Sequence, residues 1–138
     1  STRPWQHVLE AIGGYLKLAA CLKKNKRLHG EVFNFGPSNT KNYQVLFVVK
    51  SMRKYWDKVS WKLAGKNRNS FYESKLLKIN SNKAKVKLKW KSILTFHETI
   101  NMVAEWYKNY YTHPNKIYKT SFNQIKQYEN LLKKRQKI

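Results

Sequence analysis

The chain has 138 residues, 41% of them hydrophobic and five of them Trp, which is enough for one packed domain and too little for several. A formal net charge of +22 raises nucleic acid as a partner, yet the 29 cations are 24 Lys and only 5 Arg, spread along the whole chain. Base and phosphate readout leans on Arg, so this composition predicts a solvated basic surface that holds nucleic acid only non-specifically and in a salt-dependent way.

The longest apolar run, Val45-Leu46-Phe47-Val48-Val49, is core-sized and far short of the ~18 residues that mark a membrane helix. The opening carries no basic stretch followed by an apolar block, so no secretion signal is read there. One cysteine, Cys21, excludes internal disulfides and suits a reducing, cytoplasmic compartment. It reads as a small core residue of the first helix. His7, His29, His97 and His113 lie far apart with no Cys or carboxylate at ligand spacing, which argues against zinc. Asp57 is the one aspartate, so no Ser-His-Asp arrangement can be assembled.

Residues 6–24 read as a helix with a lysine-rich end. Val8, Leu9, Ile12, Tyr15, Leu16 and Ala19 fall at helical spacing and mark its apolar face. Arg3, with Pro4 and Trp5 fixing the chain's entry, stands at the helix mouth, where a guanidinium beside a helix N-terminus suits a diphosphate. Gly13-Gly14 weakens the middle by roughly 1 kcal/mol per glycine. The pair implies a close neighbour there, with tight helix packing as the plainest account. Residues 25–30 read as a polar loop. Residues 31–35 alternate and read as a strand ended by Gly36-Pro37-Ser38-Asn39. Asn39 fits either a turn or a ligand contact.

Residues 43–56 read as an amphipathic helix buried through Val45, Val48, Val49, Met52, Tyr55 and Trp56. Residues 59–63 and 76–79 read as two short strands of a small sheet, with a loop over 65–70 between them. Ser81 is a candidate N-cap for a short helix that ends near Leu88-Lys89-Trp90. Thr95-Phe96-His97-Glu98 is a capping box that opens a helix through about Tyr111, with Ile100, Val103, Ala104 and Tyr107 as its buried stripe. Thr112-His113-Pro114 stops that helix. Ser121-Phe122-Asn123-Gln124 reads as a second capping box, before a last helix to about Lys134 with a frayed, solvated end. The five Trp are assigned to core packing rather than base stacking.

Several blocks carry a resemblance. They are Arg3-Pro4-Trp5-Gln6-His7-Val8-Leu9-Glu10 with Gly14-Tyr15-Leu16, then Phe33-Asn34-Phe35-Gly36-Pro37, then Glu73 with Leu77-Lys78-Ile79-Asn80, then Lys83-Ala84 with Leu88-Lys89-Trp90, and finally Glu105-Trp106-Tyr107. In this order they resemble the C-terminal part of the CDP-glucose 4,6-dehydratases, which are NAD-dependent extended short-chain dehydrogenases/reductases. The likeness runs over roughly residues 3–128. It implies an α/β fold: a C-terminal fragment of an extended Rossmann-type enzyme, mostly helices with a few short strands, in which residues 1–138 form the substrate-binding part. It also implies a homodimer as the full-length enzyme.

The chain departs from the pattern at several positions. Tyr72 and Ser74 stand where relatives carry His and Ala around Glu73. Lys89 stands for Gly, Ser92 for Pro and Asn80 for Asp. A Gly at the end of the short helix serves a left-handed turn, which Lys occupies only with strain.

For the whole enzyme the resemblance implies that NAD takes hydride from C4 of the glucosyl unit, water leaves across C5 and C6, and hydride returns to C6. That chemistry needs a glycine-rich nucleotide loop and a Tyr-x-x-x-Lys pair. Glycines 13, 14, 30, 36 and 65 never space as Gly-x-x-Gly-x-x-Gly, and none of the nine tyrosines has Lys four residues on. NAD binding and catalysis are therefore expected upstream. The share expected here is binding of CDP-glucose or a related sugar nucleotide, through Arg3 on the diphosphate, with Gln6, Asn39, Glu73 and Lys75 as further candidates.

Two alternatives stand beside this reading: a free-standing basic module for RNA or another polyanion, and a different nucleotide-sugar epimerase or reductase. A basic module is expected to cluster its cations with exposed aromatics. A dehydratase fragment is expected to expose an apolar face where its missing half docks.

Overall fold

The computed structural model describes residues 2–38, 42–62 and 77–136. The loop expected over 65–70, the inner end of each strand expected at 63 and 76, and the segment around Glu73 lie outside the described residues. Strand β1 (Thr2–Arg3) pairs antiparallel with β2 (Tyr43–Gln44), with Thr2 opposite Gln44 and Arg3 opposite Tyr43. The helices are α1 (Val8–Lys24), α2 (Val45–Arg53), α3 (Asn82–Lys87), α4 (Phe96–Thr112) and α5 (Ile117–Gln136). The described chain is thus mostly helical with one two-stranded sheet.

Local chemistry sets the helix ends. His7 is the N-cap of α1: its Nδ1 accepts from the Leu9 N–H at 3.2 Å. Burial lowers the His7 pKa from 6.5, which keeps the imidazole neutral and able to accept. At α4 the capping box forms as expected. Thr95 Oγ1 accepts from the Glu98 N–H, and Glu98 Oε2 accepts from the Thr95 N–H.

Three small cores hold the elements together. Leu28, Ala84, Leu88 and Trp90 gather Leu18, Cys21, Leu22, Phe33 and Phe35. Ile93, Leu94, Met102 and Tyr128 gather Leu9, Leu131 and Leu132. Val48, Phe96 and Ile100 gather Trp5, Tyr43 and Met52. Cys21 is packed, as expected. Gly13 and Gly14 serve packing as well: a Cβ on Gly14 meets Phe35 Cδ1 at 2.5 Å, and one on Gly13 meets Tyr128 Oη at 3.1 Å. The close neighbours of the pair are these two side chains.

Several expectations are corrected. Residues 31–35 are extended but form no strand among the described residues. Their alternation is real, with Phe33 and Phe35 turned to the core and Val32 outward, but no ladder partner lies beside them among the described residues. Residues 59–62 and 77–79 are not strands either, for the same reason. The segment at 43–44 is strand rather than helix, because β1 pairs with it, and α2 stops at Arg53. The polar loop at 25–30 contains a 3₁₀ turn, Lys26–Leu28, whose Leu28 is buried. The last helix begins at Ile117, fed by a turn at Pro114–Lys116 with Pro in its first position. Ser121 is therefore inside α5, and its Oγ accepts from Trp106 Nε1–H at 2.9 Å instead of capping. The end of α5 is pinned rather than frayed, since Arg135 donates to Ile93 O and, through both terminal nitrogens, to Glu98.

Apart from Leu9, the apolar stripe of α1 does not face the core. Val8, Ile12, Tyr15 and Leu16 are 62%, 44%, 62% and 68% exposed, while Glu10 and Gly14 are buried. Val45, Tyr55 and Tyr107 are likewise exposed, as is Trp61 among the tryptophans assigned to the core.

Candidate functional site

The short helix α3 and its flanks build one wall of a cleft. Its first turn is fixed by Asn80, whose Oδ1 accepts from the Asn82 N–H at 2.9 Å. Ser81 sits at the N-cap position but makes no side-chain cap bond. Its Oγ instead accepts from the Gly36 N–H at 2.7 Å, which draws the 36–38 turn onto α3. A Cβ on Gly36 meets Ile79 Cγ2 at 2.7 Å, so this approach needs glycine.

The far end of α3 closes through Lys89, at φ 54 the single non-glycine residue in the left-handed region among those described. That turn returns the Trp90 N–H to Ala84 O at 3.2 Å. The strain expected of Lys at this position is present. Trp90 is thereby set edge-on to Phe35, with ring centroids 4.9 Å apart. Ser38 Oγ donates to Ser92 O at 3.1 Å, tying the same turn to the segment after Trp90.

The opposite wall is the entry to α1. Trp5 Nε1–H donates to Tyr43 O at 3.0 Å, and the Tyr43 ring stacks on Phe96 at 3.8 Å. Between the walls lies a cleft of about 650 Å³. Pro4 and Trp5, Gly36 to Ser38, residues 78–82 and Trp90 line it.

Its charge is positive. Lys83 and Lys87, which do not line it, share the one carboxylate of Glu31, at 2.9 and 2.6 Å, and their ammonium groups hold that carboxyl below the usual carboxylate range. Lys78, Lys85 and Lys91, which line the cleft, have no carboxylate partner among the described residues. Three ammonium groups and several ring walls suit an anionic ligand with a planar part. Among the described residues no group of three or more His, Cys, Asp or Glu is placed to hold a metal.

The expected site residues distribute as follows. Arg3 lies on β1, one residue outside the cleft wall, with Nη1–H donating to Thr2 O at 2.9 Å. Gln6 is half-buried. Its Nε2–H donates to Phe35 O at 3.1 Å, and its buried Oε1 meets no partner among the described residues. Asn39, Glu73 and Lys75 lie outside the described residues.

Sequence reasoning passed over Glu10, which ties α1 to residues 92–94 and to α5. Fully buried, it accepts on one oxygen from Ser92 Oγ and from the Ile93 and Leu94 N–H groups, and on the other from the Tyr128 hydroxyl. The available signal was a carboxylate four residues before Gly14 and eight before Leu18, on a row of the helix that packs inward. The cleft lysines were passed over because one lysine among 24 carries no mark in the sequence.

No protein-family model matches the chain. The chain is similar to a CDP-glucose 4,6-dehydratase. That enzyme, from Salmonella typhimurium, is 37% identical over 109 residues, a match covering 78% of this chain. The chain spans only 30% of that relative's length. No helix among the described residues is long and apolar enough to cross a membrane.

Proposed function

We propose that this chain is the sugar-nucleotide-binding portion of an NAD-dependent CDP-glucose 4,6-dehydratase of the extended Rossmann-type class. The observation that carries this reading is convergence. Four of the blocks that resemble those enzymes lie far apart in sequence, yet Pro4-Trp5, Gly36-Pro37, residues 78–80 and Trp90 all line the one cleft.

In this reading Lys78, Lys85 and Lys91 meet the diphosphate, and the ring walls of Trp5 and Trp90 bound the planar base or the sugar. Arg3, one residue beyond the wall, adds a fourth cation at the diphosphate end. Gln6, Asn39, Glu73 and Lys75 complete the set of contacts. NAD supplies reversible hydride transfer when bound. The chain holds no Gly-x-x-Gly-x-x-Gly and no Tyr-x-x-x-Lys, so its residues do not fit that cofactor, and we assign NAD to the rest of a longer, dimeric protein. This chain's own work is then to bind and orient the sugar nucleotide.

The exposed stripe Val8, Ile12, Tyr15 and Leu16 supports the same reading. It is the kind of apolar surface that a missing domain covers. The test is turnover of CDP-glucose to a 4-keto product by the protein extended N-terminally with an NAD-binding half. Product formation that falls on Arg3→Ala supports the proposal. Failure both to bind CDP-glucose and to form the product refutes it.

A further inference from the structure

Five aromatic rings, Trp56 just beyond the end of α2 and four on α4, form a continuous ridge. Trp56 stacks on Tyr111 with centroids 5.6 Å apart, and Tyr111 meets Tyr110 edge-on at 5.2 Å. Tyr110 stacks on Trp106 at 5.4 Å and an interplanar angle of 8°, and Trp106 meets Tyr107 at 5.3 Å. Its three tyrosines are open to solvent, Tyr107, Tyr110 and Tyr111 being 44%, 46% and 67% exposed, while Trp56 and Trp106 are half-buried beside them.

Cations border it. Arg53, Lys54 and Lys58 flank Trp56 in the chain, Lys108 lies between Tyr107 and Tyr110, and Lys116 sits on the turn that packs against the end of α4. All are exposed, and none has a carboxylate partner among the described residues. Asp57 and Glu105 are the acidic residues on the same stretches, so the border keeps a net positive charge.

We propose that this ridge is a docking surface for single-stranded nucleic acid, read without regard to sequence. Unpaired bases stack on exposed rings while ammonium groups follow the phosphates. A duplex hides its base faces, and a border rich in Lys rather than Arg offers attraction without base readout. The surface lies outside the residues that line the cleft, and the proposal does not rest on the dehydratase reading.

The test is titration of the 138-residue chain with an oligothymidylate of about 16 nucleotides, followed by tryptophan fluorescence and by the anisotropy of an end label. Quenching of the tryptophans is expected, with affinity falling about tenfold in Tyr111→Ala and held in Tyr111→Phe. Tyr118→Ala, at an exposed tyrosine off the ridge, is expected to change nothing. A second variant, Lys54→Gln with Lys108→Gln, should lower the salt slope by about two whatever becomes of Tyr111→Ala. Inorganic polyphosphate is expected to bind more weakly and without quenching. Equal binding of polyphosphate overturns the proposal, as does an affinity indifferent to Tyr111→Ala in a folded variant. Anionic phospholipid vesicles that bind with the same Tyr111 dependence, while the oligonucleotide does not bind, would also overturn it.

Discussion

Glu10 and Tyr128 stand 118 positions apart in the chain and are joined by a 2.9 Å hydrogen bond inside the protein. Through Glu10 the first helix holds both the last helix and the turn at 92–94. Burial is the main reason that the Tyr128 hydroxyl is pushed well above its ordinary value of 10, with the neighbouring Glu10 carboxylate adding to it. Tyr128→Phe removes one donor and should cost about 1–2 kcal/mol, whereas Glu10→Ala strands two backbone N–H groups and should cost at least about 3 kcal/mol. Urea unfolding of the two variants measures both, and a loss in Glu10→Ala no greater than in Tyr128→Phe would contradict the hub.

Gly14→Ala places a methyl group 2.5 Å from Phe35 Cδ1, too close without movement of the ring. A loss of about 1–3 kcal/mol is expected, with partial recovery in the double variant Gly14→Ala, Phe35→Leu. Thermal unfolding gives the comparison, and a neutral Gly14→Ala would mean that α1 and the 31–35 segment are not in contact.

Lys89 holds a left-handed backbone at φ 54, which costs an L-residue about 1–2 kcal/mol. Glycine relieves that strain but loses more chain entropy on folding. Lys89→Gly should therefore raise stability by about 0.5 kcal/mol, read as a higher urea midpoint. A lower midpoint would contradict the left-handed turn.

Glu98 and His7 contribute to the response to acid beside Glu31, whose carboxyl is also held low. The bidentate Arg135 guanidinium, with help from Thr95, holds the Glu98 carboxyl down at about 2 against an ordinary 4.5. Its folded value lies below its unfolded one, so its contribution is full above pH 4.5 and is lost as the pH falls toward 2. Both side chains are about a third exposed, which limits the effect to about 1 kcal/mol after screening. His7 acts earlier: burial lowers its folded pKa, so stability begins to fall as the pH drops below 6.5, and protonation removes the cap acceptor. Arg135→Ala should flatten the stability curve between pH 4.5 and 2, and His7→Asn should flatten it just below 6.5. Unchanged curves would contradict these assignments.

The exposed α1 stripe should make the isolated chain self-associate. Leu16→Lys with Tyr15→Lys should lower its light scattering at equal concentration while leaving the helix content unchanged. Equal scattering would show that this face is not adhesive.

Much of this fold can be read from local chemistry. Thr95 and Glu98 announce the start of α4 because a capping box is complete within four residues. Lys89 betrays a left-handed turn because its neighbours resemble a pattern that carries Gly. Strands at 31–35, 59–63 and 76–79 are a different matter. Alternation marks which side chains face inward, but a strand also needs a partner ladder, and no alternation announces one. Ser121 misleads because an equally good start, Pro114, precedes it. Periodicity in α1 finds an apolar face without saying what covers it. Glu10 stays hidden because its donors come from 82 to 118 residues away. Within the candidate site, Pro4, Trp5 and Gly36 are legible through resemblance, while Lys78, Lys85 and Lys91 become distinct from other lysines only when the chain brings them to one cleft.

Calorimetric titration of CDP-glucose into the N-terminally extended protein, beside its Lys78→Ala, Lys85→Ala, Lys91→Ala variant, tests the cleft most directly. Saturable binding by the parent is predicted, weakened at least about tenfold in the triple variant, since each charge-assisted contact is worth about 1.5 kcal/mol or more. Equal affinity in the two proteins, or no binding by the parent, would contradict the assignment of the cleft to a sugar nucleotide.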